Sequence, residues 1–89
     1  MPYRVLLAEQ VVEFLRKLDR KEQERDAKRI EKLSTDPVHF GENRGDFWLL
    51  KMGRGGYRVA YRFSKEEGTV RVLAAERRSG TAYERRFCR

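Results

Sequence analysis

The stretch from Asp46 to Phe63 leaves this chain the least choice. Asp46-Phe-Trp-Leu-Leu-Lys-Met52 and Tyr57-Arg-Val-Ala-Tyr-Arg-Phe63 flank Gly53-Arg-Gly-Gly56, a turn whose glycines can take positive φ. The second run alternates strictly. Tyr57, Val59, Tyr61 and Phe63 face one way, and Arg58, Ala60 and Arg62 the other. With Gly53–Gly56 as the loop, Met52 opposes Tyr57, Lys51 opposes Arg58 and Leu49 opposes Ala60. Trp48, Leu50 and Met52 then join Tyr57, Val59 and Tyr61 on the core side. The opposite face carries Lys51, Arg58 and Arg62 with Phe47 and Leu49.

A second turn, Ser64-Lys-Glu-Glu-Gly68, leads into a third strand, Thr69–Ala75. Val70, Val72 and Ala74 are its apolar set and are expected on the core side. That sends Arg71, Leu73, Ala75 and, if the strand runs on, Arg77 to the basic face. Like charges directly opposite one another on a sheet cost up to roughly 1 kcal/mol per pair. A face that accepts this repulsion suits an anion; the plainer alternative is side chains fanning into solvent.

Upstream, Tyr3-Arg-Val-Leu-Leu7 is a short strand. From Ala8 the period changes: Val11, Phe14/Leu15 and Leu18 mark an amphipathic helix. Lys21–Thr35 is a second helix with a thin stripe of Ala27, Ile30 and Leu33, stopped at Ser34-Thr-Asp-Pro37 because proline disfavours helix before it and lacks an N–H. Residues 38–45 read as a loop, and Glu76–Arg89 has no firm assignment. The order is β-α-α-β-β-β. The fold class is therefore α+β: a small antiparallel sheet of about four strands with a two-helix hairpin packed on one face. Eighty-nine residues hold a single domain, 1–89, with one core.

The charge is one-sided. Residues 1–45 carry ten basic and nine acidic side chains, whereas residues 46–89 carry eleven basic and five acidic, nine of the eleven being Arg. Arg's planar fork suits phosphate, and a one-sided basic surface is the footprint of a nucleic-acid binder. No apolar run approaches the ~18 residues of a membrane span, and the N-terminus lacks a signal peptide's pattern, so a cytoplasmic protein without membrane contact is expected. Cys88 is the only cysteine, which excludes an internal disulfide. No Cys/His cluster exists, and Asp19, Asp26 and Asp36 lack ligand spacing, so neither metal nor cofactor is expected. His39, the only histidine, belongs to the loop after Pro37, away from the basic face.

The residues resemble the RelE/ParE superfamily of toxins from bacterial and archaeal toxin–antitoxin pairs. The resemblance covers nearly the whole chain: the Tyr3–Leu7 strand, Phe14-Leu-Arg-Lys-Leu-Asp19, and Leu33-Ser-Thr-Asp-Pro37. It is densest in Trp48-Leu-Leu-Lys51 and Gly56-Tyr-Arg-Val-Ala-Tyr61, followed by Arg77 and Tyr83. It implies a toxin that cuts mRNA on the ribosome. Lys51 matches a lysine of the catalytic face, Arg58 a catalytic arginine, Arg77 a second arginine past the last strand, and Tyr83 a C-terminal tyrosine that stacks on or activates the substrate. Leu49 stands where RelE-type enzymes often carry a second lysine. The implied partners are a cognate antitoxin that wraps a monomeric toxin into a hetero-oligomer, and the ribosome with its mRNA and rRNA.

RNA can be cleaved without metal by attack of its own 2′-OH on the neighbouring phosphorus, given a base, positive charge on the phosphorane and a proton for the departing 5′-oxygen. Tyr83 and Lys51 are the bases on offer. Arg58 and Arg77 would clamp the phosphate, so Lys51, Arg58 and Arg77 are expected to converge on one spot. Arg54, Arg62 and Arg71 are the candidate RNA-binding residues around them. Two alternatives remain: a ParE-type inhibitor that binds DNA gyrase without catalysis, and a non-catalytic RNA-binding module.

Overall fold

The computed structural model describes residues 2–52 and 56–77. Arg54 and Tyr83 lie outside the described residues. The elements are β1 (Arg4–Leu7), α1 (Glu9–Arg16), α2 (Arg20–Glu31), a 3-10 turn at Lys32–Ser34, β2 (Glu42–Asn43), β3 (Trp48–Lys51), β4 (Tyr57–Ser64) and β5 (Thr69–Arg77). The α+β class and the helical hairpin stand as expected.

Among the described residues the sheet has five strands, in the order β1-β5-β4-β3-β2. It is mixed rather than wholly antiparallel, because β1 runs parallel to β5, with Val5 beside Val70 and Leu7 beside Val72. The added strand is β2, whose Glu42 and Asn43 pair with Leu49 and Trp48 inside a segment expected to be loop. It reverses the chain once before β3, so β3 and β5 share the direction of β1. Hydrophobic periodicity carries no information about direction across a long helical crossover.

Local chemistry explains the helices. Asp19 caps α2, its carboxylate accepting from the Glu22 N–H at 2.9 Å, the first half of a capping box. These amide hydrogen bonds hold the Asp19 carboxyl below its usual range. From α1, Gln10 turns back onto β5. Its amide donates to the Ala75 carbonyl at 2.7 Å and accepts from the Ala75 N–H at 2.9 Å. The part of β5 beyond the end of β1 thus gains a side chain in place of a strand partner.

The core joins Val11, Leu18, Ile30 and Leu33 of the helical layer to Leu50, Met52, Tyr57, Val59, Tyr61, Val70, Val72 and Ala75 of the sheet, all buried. Ala27, expected in the apolar stripe of α2, is exposed, and its neighbour Asp26 is buried at 2 % exposure. Asp26 is tolerated there because the Tyr57 hydroxyl donates to it at 2.8 Å and the Arg25 Nε lies 3.3 Å away, so the carboxylate is neither unpaired nor unbonded.

Candidate functional site

The hairpin register is the expected one: Trp48 opposes Tyr61, Leu49 opposes Ala60, Leu50 opposes Val59 and Lys51 opposes Arg58. Because the Met52 N–H donates to the Tyr57 carbonyl at 3.0 Å, residues 52 and 57 form a hydrogen-bonded pair. Lys51 and Arg58 are therefore a non-hydrogen-bonded pair, the closer of the two kinds, with Cα atoms about 4.5 Å apart. Two cations are held side by side on the sheet face away from the helices.

The third member of the expected cluster is not there. A bulge breaks the β4–β5 ladder: Tyr61 pairs with Val72, but Ala60 pairs with Ala74, so one extra residue of β5 is inserted. Past a bulge every side chain changes face. Ala75, expected on the basic face, is in the core with Val59, and Ala74, expected in the core, is on the other side with Phe47, Leu49 and Ala60. Arg77 follows the same shift. It opposes core-facing Tyr57, and its guanidinium lies over the ring of Phe14 of α1, 5.6 Å from the centroid. Lys51, Arg58 and Arg77 thus do not converge; the structure brings together the first two only.

Carboxylates that the sequence reading missed share this face. Glu76 stands opposite Arg58 with its Oε1 sealed from solvent. Glu42 of β2 lies 3.7 Å from the Lys51 Nζ and 3.0 Å from Arg44. Glu42 was hidden because β2 has no apolar pattern, and Glu76 because nothing in Val72-Leu-Ala-Ala75 announces a bulge.

Arg62 and Arg71 form a second cation pair at the far end of the face, directly opposite each other. Arg62 donates from Nε to the Asp46 carbonyl at 2.8 Å, and Arg71 reaches Glu67 at 3.8 Å. Between the pairs sits the buried cluster of Phe47, Leu49, Ala60 and Ala74. This face is two cationic ends separated by apolar residues, with Phe47 and Leu49 on it as expected.

The motif tyrosines belong to the core. Tyr57 is 1 % exposed; burial and the Asp26 hydrogen bond push its hydroxyl far above its usual range. Burial likewise pushes Tyr61 up to about 12. Both stay protonated at physiological pH, and neither is a base. His39 is on the loop before β2, its Nδ1 2.7 Å from Asp36. Hydrogen bonds from the His39 amide and ring hold the Asp36 carboxyl below its usual range. Among the described residues no three His, Cys, Asp or Glu side chains gather closely enough to hold a metal ion, and no helix is long and apolar enough to cross a membrane.

No family model matches the sequence, and no curated protein sequence matches it. Solved structures do. The toxin–antitoxin complex RelBE2 from Mycobacterium tuberculosis matches at 26 % identity and a TM-score of 0.72, over 88 % of this chain and 100 % of that one. The archaeal RelE–RelB complex from Pyrococcus horikoshii matches at 28 % and 0.70, over 90 % of this chain and 99 % of that one. The isolated Escherichia coli RelE toxin matches at 25 % and 0.71, over 93 % of this chain and 94 % of that one.

Proposed function

This chain belongs to the RelE-like toxin superfamily, and on that premise we propose that it is the toxin of a type II toxin–antitoxin pair and a ribosome-dependent mRNA endonuclease. The observation that carries the catalytic part is the Lys51–Arg58 pair, two cations fixed side by side on the sheet. Fixed positive charge aimed at a phosphate stabilises the charge that develops as the 2′-OH attacks phosphorus. The new P–O bond gives a 2′,3′-cyclic phosphate as the bond to the 5′-oxygen breaks. The 2′-OH proton passes to a base, and the departing oxygen takes up a proton. Tyr83 is the proposed base while Lys51 serves as a cation; Lys51 is the alternative base only in its neutral form, and Arg58 would then hold the phosphate without it. Arg77 would join only if its guanidinium left the Phe14 ring, so the clamp of the free toxin is two-point rather than three-point.

A cognate antitoxin is the partner this reading requires, as in the RelBE complexes from M. tuberculosis and P. horikoshii. A groove of ≈ 250 Å³ lined by Val5, Leu7, Leu15, Ala27 and Ile30, with Glu31 as its one charged residue, offers mostly apolar surface for it. Leu7 at its edge is 39 % exposed.

The displacement of Arg77 and the presence of Glu42 and Glu76 favour a second reading, ParE-type inhibition of gyrase without cleavage. One experiment separates the two. Purified toxin is added to translating ribosomes with mRNA ends mapped by primer extension, beside a gyrase supercoiling assay. Codon-phased cuts with normal supercoiling are expected; inhibited supercoiling without cuts would replace the first reading with the second.

A further inference from the structure

Lys51 and Arg58 sit where a hairpin holds itself least well. They are like charges in the unbonded type of cross-strand pair, the last pair of the β3–β4 register. On the outer side β3 gets little help, since β2 pairs only with Trp48 and Leu49. The Lys51 carbonyl points outward, away from β4, and among the described residues no strand pairs with it there. Yet it has a donor: Arg29 of α2, 22 residues away, gives its Nε–H to that oxygen at 2.9 Å. One helical turn earlier on α2, Asp26 accepts the hydroxyl of Tyr57 at 2.8 Å. Residues three apart share a helix face. That face therefore holds one residue of each strand, Lys51 itself and the residue directly before Arg58.

We propose that Arg29 and Asp26 are positioning residues, two tethers by which α2 sets the spacing of the Lys51–Arg58 pair. This rests on the reading that the pair grips a phosphate. Neither tether touches RNA. Each acts from behind the sheet, through the backbone at Lys51 and the ring of Tyr57, on side chains that leave by the opposite face. Preorganisation of this kind enters the rate of the chemical step rather than substrate affinity, and a shift of about 1 Å in a phosphate clamp is worth up to ~100-fold in rate.

Arg29 is exposed, so its substitution leaves the core untouched. Three single variants are compared with wild type: Arg29→Ala, Arg29→Lys and Tyr57→Phe. The first readout is single-turnover cleavage on programmed ribosomes; the second is amide hydrogen exchange at Met52. Arg29→Ala is expected to lower the maximal cleavage rate about tenfold with the half-saturating ribosome concentration unchanged, and to speed exchange at Met52. Arg29→Lys, which keeps a donor, should recover part of both. Tyr57→Phe should match Arg29→Ala, and the double variant should lose less than the product of the two. A rise in half-saturation alone would mean that Arg29 touches the ribosome, and would overturn the tether. Unchanged rate and exchange in Arg29→Ala would also overturn it while leaving the nuclease reading intact. If wild type makes no cuts but exchange at Met52 still accelerates in Arg29→Ala, the nuclease reading falls and the tether stands as a device that orders the hairpin.

Discussion

Arg58 and Arg77 are alike in sequence and unlike in place. Each is an arginine at the end of a strand, and strict alternation sends both to one face. The structure sets Arg58 directly across the sheet from Lys51 and places the Arg77 guanidinium over the ring of Phe14. The two should therefore differ when removed. If Lys51 and Arg58 are the proposed two-cation clamp, Arg58→Ala deletes half of it, and removing one transition-state charge contact costs roughly 100- to 1,000-fold in rate. Arg77→Ala deletes a cation–π contact worth about 0.5–1 kcal/mol and should leave clearly more activity. Single-turnover cleavage by the two variants on programmed ribosomes checks this. Equal loss in both would mean that Arg77 leaves Phe14 and joins the phosphate on the ribosome. Lys51 and Arg58 were legible in the sequence because each is one alternation step from a large apolar residue beside a glycine-rich turn, which fixes both face and register. Arg77 was not, because its face depends on a residue inserted upstream.

At the scale of elements, the hairpin of β3 and β4 was readable from the sequence down to individual partners, whereas β2, the bulge and the parallel β1 were not. The reason is physical. Alternation is a local signal, but a bulge, a two-residue strand and a crossover direction are settled by packing between distant segments. Gly41 illustrates such a packing constraint. It lies just before β2, where a Cβ would fall 1.8 Å from the Tyr61 hydroxyl and 2.7 Å from its Cζ. That hydroxyl donates to the Pro37 carbonyl, closing the loop after α2 onto β4. Gly41→Ala would push the phenol off this bond, and overpacking of this kind costs typically 1–3 kcal/mol. A urea melt should show a lower midpoint for Gly41→Ala. In a Tyr61→Phe background the same change should cost less, because the nearest clashing atom is gone. An equal cost in both backgrounds would show that the Tyr61 hydroxyl is not what excludes a side chain at 41.

For the whole molecule, the decisive quantity is a net charge of +7, concentrated in the half that builds β3 to β5. Part of it is answered internally, since Glu42 reaches Lys51 and Glu67 reaches Arg71. Both pairs are exposed and longer than 3.5 Å, so they hold their cations only weakly and can give way to phosphate. Binding to a non-cleavable single-stranded oligoribonucleotide should then weaken steeply with salt, as condensed counterions are released, by about 0.7 in the logarithmic slope per phosphate neutralised. Arg58→Ala should lower that slope by about one such step, and so should Arg71→Ala if the far end of the face also engages RNA. Glu42→Gln, which frees Lys51 of its carboxylate, should tighten binding at low salt without changing the slope. Titrations from low to physiological ionic strength would check all three. A slope unchanged by Arg58→Ala would mean that RNA is held elsewhere on the molecule. The sheet face would then lose its claim to the message, and the gyrase reading would gain by it.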